Sequence, residues 1–270
     1  MTRELKFWGV RGTFPAPGPY HARYGGHTPC ASVETPAGML VVDAGSGLRD
    51  LGLSLEAGNA PPRVTLLLTH FHLDHVMGFP FFGPLLMDGA EIAVFAPASP
   101  AEIRQYLASL MAAKLFPIDL DATKARTSFH RFEEGLIVGG VRVRSCPLRH
   151  PQGSVAYRLE GDDGSIVFAT DTEPPETGFD ERLAAFAAGT THLICDATYT
   201  PEEYAAGKKG WGHGTWRDAV EVGRASGARN VYLSHHNPDH EDACVRELVE
   251  AARSVLPCVT GARQGMELIW

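Results

Sequence analysis

No stretch of this 270-residue chain is apolar for long enough to span a bilayer, and its five cysteines form no Cys-X-X-Cys pair. The first absence argues against a membrane-spanning helix and a membrane partner. The second, with the odd number, argues against a disulfide framework. Cys30, Cys146, Cys195, Cys244 and Cys258 are expected as reduced thiols, mostly buried. Basic charge is also scarce: 24 Lys and Arg against 32 Asp and Glu leave a net charge of −8. The densest basic spots, Arg142/Arg144/Arg149 and Lys208-Lys209, are too small for the stripe that grips long nucleic acid. Internal repeats and low-complexity segments are missing, and Phe7-Trp8-Gly9-Val10 is too short for the apolar core of a secretory signal, so a cytoplasmic protein is expected. Pro-rich pieces are as short as ordinary connections, and 44% hydrophobic content suits a single domain over residues 1–270.

Six short apolar runs end on residue types that bind metals. Residues 64–69 open onto His70-Phe71-His72-Leu73-Asp74-His75. Residues 39–43 end on Asp43, 166–171 on Asp171, 193–196 on Asp196 and 231–235 on His235. A looser, Pro-interrupted run over 143–150 ends on His150. Imidazole and carboxylate suit a divalent cation such as zinc. If the segment after residue 69 is extended, His70 and His72 point the same way and can share one ion, while Asp74 and His75 lie beyond and can turn toward another. In sheets flanked by helices, ligands gather outside the carboxyl ends of the strands, so all six runs can converge on one site. Cys146 and Cys195 lie near enough to be alternative ligands, and His236 and His240 compete with His235 for the last position.

Helices fit between the strands. Ser99-Pro100-Ala101-Glu102 reads as a capping box that opens a helix to about Lys114. Thr215-Trp216-Arg217-Asp218 opens another that stops at Gly227, and a third spans roughly 241–254, where Val245, Leu248, Val249 and Ala252 share a face. The aromatic run 79–82 reads as ordinary core.

Thr69-His70-Phe71-His72-Leu73-Asp74-His75, followed in order by His150, Asp171 and His235 and preceded by Asp43, resembles the metallo-β-lactamase superfamily over nearly the whole chain. That resemblance implies an α/β fold, an αββα sandwich of two mixed sheets with helices on the outer faces, and a dinuclear site along one edge. It implies His70, His72 and His150 on one ion, Asp74, His75 and His235 on the other, and Asp171 bridging them. It also implies that Asp43 orients a ligand histidine. Within the superfamily, Trp8-Gly9-Val10-Arg11-Gly12-Thr13 and Tyr24-Gly25-Gly26-His27-Thr28-Pro29-Cys30 are similar to the N-terminal hairpin of ribonuclease Z and PhnP-like phosphodiesterases. Many of those relatives carry Asn at the position of His27. Asp196-Ala197-Thr198 with His213-Gly214-Thr215 looks like the acid and histidine pair of those enzymes.

The expected activity is cleavage of a small anionic phosphodiester, such as a cyclic nucleotide or nucleotide derivative. The two divalent ions would be zinc, with manganese or iron as alternatives. Two ions about 3.5–4 Å apart can hold a hydroxide between them and neutralise phosphoryl oxygens. Asp74 could aim that hydroxide, and His213, held by Asp196, could protonate the leaving alkoxide. The other reading of the pair is that His213 only caps the following helix and Asp196 only ends a strand. The same metals could hydrolyse a lactone or thioester, or serve a sensor without turnover. Oligomeric state is open, a homodimer included, as is any substrate contact by His27, Trp211 or the 79–82 aromatics.

Overall fold

The computed structural model describes residues 3–270 except Asn59. Its strands form two seven-stranded sheets. The first contains β1 (Glu4–Gly9), β2 (Cys30–Thr35), β3 (Gly38–Val42), β4 (Arg63–Leu67), β5 (Glu91–Ala96), β6 (Arg126–Arg131) and, at the edge beside β1, β14 (Glu267–Ile269). The second contains β7 (Leu136–Val138), β8 (Val141–Leu148), β9 (Ser154–Glu160), β10 (Ser165–Ala169), β11 (His192–Asp196), β12 (Asn230–Ser234) and β13 (Val259–Gly261) in sequential spatial order. Each sheet is antiparallel in one half and parallel in the other: β3 to β6 run parallel in the first, β10 to β13 in the second. The parallel halves send their carboxyl ends to one edge, which is where the apolar runs terminate.

Alternation along the strands builds the layers. Leu40 and Val42 of β3, Ile166 and Phe168 of β10, Ile194 of β11 and Tyr232 of β12 pack between the sheets. Val41 faces outward onto α1 (Leu48–Glu56) and α3 (Pro100–Leu110), and Val167, Leu193, Val231 and Leu233 face outward onto the opposite helical layer. That layer holds α4 (Glu181–Phe186), α6 (Trp216–Ser226) and α7 (Asp242–Val255); short turns of helix form α2 (Leu73–Val76) and α5 (Pro201–Glu203). The order is helix, sheet, sheet, helix. Each fully buried Leu, Val, Ile or Phe contributes roughly 1.5–3 kcal/mol of transfer free energy. The Tyr157 hydroxyl of β9 donates to Leu68 O just past β4 at 3.0 Å, tying one sheet to the other two residues before His70.

The caps behave as expected at Ser99, whose box with Glu102 is complete, and at Thr215, whose box uses Asp218, with Gly227 left-handed at φ +65°. One boundary differs. The α3 helix ends at Leu110, short of Lys114, because Met111 tightens the last turn onto Ala108 O and is buried. Phe79 and Phe82 are core, whereas Phe81 is 58% exposed beside Phe116. No helix among the described residues is long and apolar enough to cross a membrane.

Candidate metal centre

Every strand end that carries a candidate residue reaches the same edge of the sandwich. β4 stops at Leu67, and the chain stays extended through His72 (φ −62°, ψ 149°) before α2 swings Asp74 and His75 inward. β8 delivers His150, β10 delivers Asp171, β11 ends on Asp196 and β12 delivers His235. Two groups result in which one nitrogen or oxygen from each residue lies within 4.8 Å of the others: His70, His72 and His150, and Asp74, His75, Asp171 and His235. Asp171 joins them, with Oδ1 at 3.8 Å from His70 Nε2 and 3.9 Å from His150 Nε2, and Oδ2 at 3.1 Å from His75 Nε2. No cysteine joins the cluster among the described residues; Cys146 and Cys195 are buried as free thiols, and burial raises both pKa values.

The donor set can be tested for its fit to a cation by asking where each imidazole's other nitrogen goes. His70 Nδ1 meets the Thr69 hydroxyl at 3.1 Å, His72 Nε2–H donates to Gln152 Oε1 at 3.0 Å, and His75 Nδ1–H donates to Asp43 Oδ2 at 2.9 Å. His150 Nδ1–H donates to Gly212 O at 2.8 Å, and His235 Nδ1–H to the Thr198 hydroxyl at 3.0 Å. With the outer nitrogen of each ring so engaged, five lone pairs converge inward, which is how metal-ligating histidines are held. His72 Nδ1 and His150 Nε2 face each other at 2.9 Å, and the buried His70 Nε2 has no hydrogen-bond partner among the described residues. The residues present fit a divalent metal.

Electrostatics agree. Burial, helped by neighbouring His75, holds His70 well below the usual histidine pKa, and burial lowers His150, so both are neutral donors. Burial alone would lower His75 too, but the carboxylates of Asp171, Asp43 and Asp74 outweigh it and raise its pKa well above the usual value. Burial would raise Asp171, yet His235, His75 and His70 keep it far below the carboxylate range; Asp74 is depressed for the same kind of reason by His75 and His235. The carboxylates that raise His75 are negative charge of the kind a bound cation would neutralise.

Strain is concentrated here as well. All five non-glycine residues with positive φ among the described residues touch or belong to the cluster: Thr13 (65°), Asp43 (62°), Gln152 (61°), Asp171 (61°) and His235 (58°). Such conformations cost about 1–3 kcal/mol each and persist only where surroundings enforce them. Thr13 uses its backbone N–H to bond Asp74 Oδ2 at 2.7 Å. Gly12 lies against His235, where an added Cβ would come within 2.2 Å of Nδ1.

Beside the cluster, Asp196 Oδ2 accepts from His213 Nδ1–H at 2.9 Å. Asp196 also receives the N–H groups of Asp171, Thr198 and Gly214 and the Thr198 hydroxyl. Burial opposes the charged form of His213, but Asp196 outweighs it and pushes the pKa up to about 9. Capping is not its task, since Thr215 caps α6. His213 also lies within coordinating distance of His150 and Asp171, and of Asp196 and His235, but its Nδ1 is taken by Asp196.

A sequence profile described as "Beta-lactamase superfamily domain" matches residues 39–236, which hold all seven cluster residues, Asp43, Asp196 and His213. The chain belongs to the beta-lactamase superfamily. This superfamily member is 27% identical over 301 residues to a ribonuclease Z from Salinibacter ruber, covering 88% of this chain and 87% of that one. Its fold matches the metallo-beta-lactamase fold protein YhfI from Bacillus subtilis with a TM-score of 0.75 at 17% identity, over 100% of this chain and 99% of that one. It also matches a diphosphatase from the PhnP family with a TM-score of 0.70 at 18% identity, over 98% and 97%.

Other candidates fall outside the cluster. His27 bonds the Ser46 hydroxyl at 2.9 Å and lies 3.3 Å from Asp50. His236 bonds Ala262 O, and burial drops its pKa to about 3; His240 bonds Glu203. Trp211 is 57% exposed with Lys208 Nζ 4.0 Å from its ring centre. Three contributors carry little or no signal in the sequence. They are Gln152, the Thr13 N–H, and Glu173, which accepts from Tyr204 Oη, Gly210 N and Gly212 N and so holds the loop carrying His213. Glu173 lies two residues past Asp171, the one sequence clue available for it.

Proposed function

We propose that this superfamily member is a dinuclear metal-dependent phosphodiesterase acting on a small phosphodiester. The observation that carries the reading is the Asp196–His213 pair fastened beside the cluster, a proton carrier placed where the ligands alone have none. Relatives named ribonuclease Z and diphosphatase support phosphorus as the reacting centre. His70, His72 and His150 would hold one cation, and Asp74, His75 and His235 the other, with Asp171 shared. Two divalent cations, zinc by the donor set, supply a nucleophile from water at neutral pH and neutralise the non-bridging phosphoryl oxygens.

The chain's own residues do the rest. Asp43, Thr198, Gln152 and the Gly212 carbonyl fix the tautomers of His75, His235, His72 and His150. The Thr13 N–H holds the Asp74 carboxylate in one orientation. His213, its Nδ1–H bound to Asp196, carries at Nε2 the proton that the leaving alkoxide needs, and Asp196 stabilises the charged ring. The net charge of −8 favours a small substrate over long nucleic acid.

The test is turnover of bis(p-nitrophenyl) phosphate by protein loaded with two equivalents of zinc. On a 2′,3′-cyclic nucleotide, whose leaving alkoxide needs a proton, His213→Ala is expected to lower kcat by roughly 10²–10⁴ with metal content unchanged, and far less on bis(p-nitrophenyl) phosphate, whose nitrophenolate needs none. An equal effect of that variant on both substrates removes the proton-donor role, and lactone hydrolysis without phosphodiester turnover removes the phosphodiesterase reading.

A further inference from the structure

Two grooves leave the cluster in different directions, and their linings differ. The one beside His150, about 670 Å³, is lined by Arg149, Glu173, Tyr204 and Lys209 among others and is rich in charge. The one beside His72, about 550 Å³, is lined by His70 and His72 and by Phe71, Tyr106, Pro97 and Val155. Among the described residues no Lys or Arg lines it, and its one carboxylate, Glu102, accepts from the Ser99 N–H at 2.9 Å and hydroxyl at 2.6 Å. We propose that this second groove seats a nucleobase, so that the phosphodiester substrate carries a nucleoside whose planar ring lies against Tyr106. The inference rests on the phosphodiesterase reading above and specifies its substrate.

Tyr106 projects from α3 with 49% of its surface exposed, although it flanks the cluster. It is backed by Phe71, their ring centres 4.7 Å apart and planes tilted 38°, so one ring is braced while the other keeps a face open to the groove. Phe71 lies between His70 and His72 in the chain, which sets the aromatic pair at a fixed distance from where the phosphoryl group would bind. The volume is within the usual roughly 300–1,000 Å³ of small-ligand pockets. Aromatic faces bind bases by stacking, and every base offers one. Away from His70 and His72 a second phosphate would meet Glu102 and no cationic side chain, so a neutral ring is the complementary occupant.

The test uses the zinc-loaded protein and two probes, 2-aminopurine riboside 5′-monophosphate and ribose 5-phosphate. Stacking predicts that the base-bearing probe binds about ten-fold more tightly and that its fluorescence is quenched on binding. Tyr106→Ala should abolish both the preference and the quench, and Tyr106→Phe should keep them. In hydrolysis, the ratio of kcat/KM for the p-nitrophenyl ester of thymidine 5′-phosphate over methyl p-nitrophenyl phosphate should fall about ten-fold in Tyr106→Ala. Equal affinity for the two probes, or the same ratio in wild type and Tyr106→Ala, overturns the base site while leaving the phosphodiesterase reading intact. If neither probe binds and neither ester is cleaved, both fall together.

Discussion

The two halves of the centre are supported from different depths of the molecule. Asp74, His75, Asp171 and His235 are all buried, and the groups that orient their rings, Asp43 and Thr198, are buried too. On the other side His70 and the His150 imidazole are buried as well, but His72 is half-buried, and His72 and His150 each line a groove. Their orienting partners are an exposed Gln152 and the carbonyl of Gly212, in a loop held by Glu173 at Gly210 and Gly212 and by Asp196 at His213 and Gly214. The first half is held by sheet ladders and packing, which many residues share. The second half depends on a few hydrogen bonds that water can contest.

That contrast can be broken most severely at His75. His75→Ala should lose one equivalent of metal by elemental analysis and lower kcat beyond the roughly 10²–10³ that removal of one transition-state donor costs, since it opens the buried half. Chelation sharpens the contrast: a graded chelator series should release the metals in two steps, that of the His70, His72 and His150 side first. Complete removal should lower Tm by on the order of 10 °C, as loss of a ligand bound at about 1,000 times its Kd would. Simultaneous release would mean the halves are equivalent.

Glu173→Ala should act through the loop, lowering kcat about 10- to 100-fold with metal content retained, because Gly210 and Gly212, which lead into His213, lose their anchor. The smallest effect is expected from Gln152→Gly. It should weaken the first-released metal by about ten-fold. It should leave the Tm of the metal-free protein equal or raised, since glycine relieves the left-handed backbone at φ +61°. Unchanged metal affinity would deny Gln152 its role in holding His72.

Much of this was legible beforehand, for identifiable reasons. Leu40 and Val42, Ile166 and Phe168, and the polar residues that follow them reveal strands and strand ends, because a period of two and a buried face leave one way to lay the chain. The spacing from His70 to His75 reads as a ligand set because imidazoles at that density have little use in packing. Gln152 was not legible: it sits in a Pro-Gln-Gly turn, and only the arrival of His72 from another sheet gives its amide a partner. The Thr13 N–H and the Gly212 carbonyl act through the backbone, which any residue name conceals. Phe81 and Phe82 are adjacent and chemically identical, yet one is exposed and the other is core.

The amino-acid order by itself determined the layers, the strands and which side chains would stand at the site, because hydrophobic alternation and donor chemistry are local properties of the chain. The tertiary structure alone decided which nitrogen of each histidine turns inward, what holds His213 in place, and which groove is aromatic and which is charged. Those depend on contacts between segments up to 161 positions apart, as from Asp74 to His235, and no local pattern encodes where such segments meet.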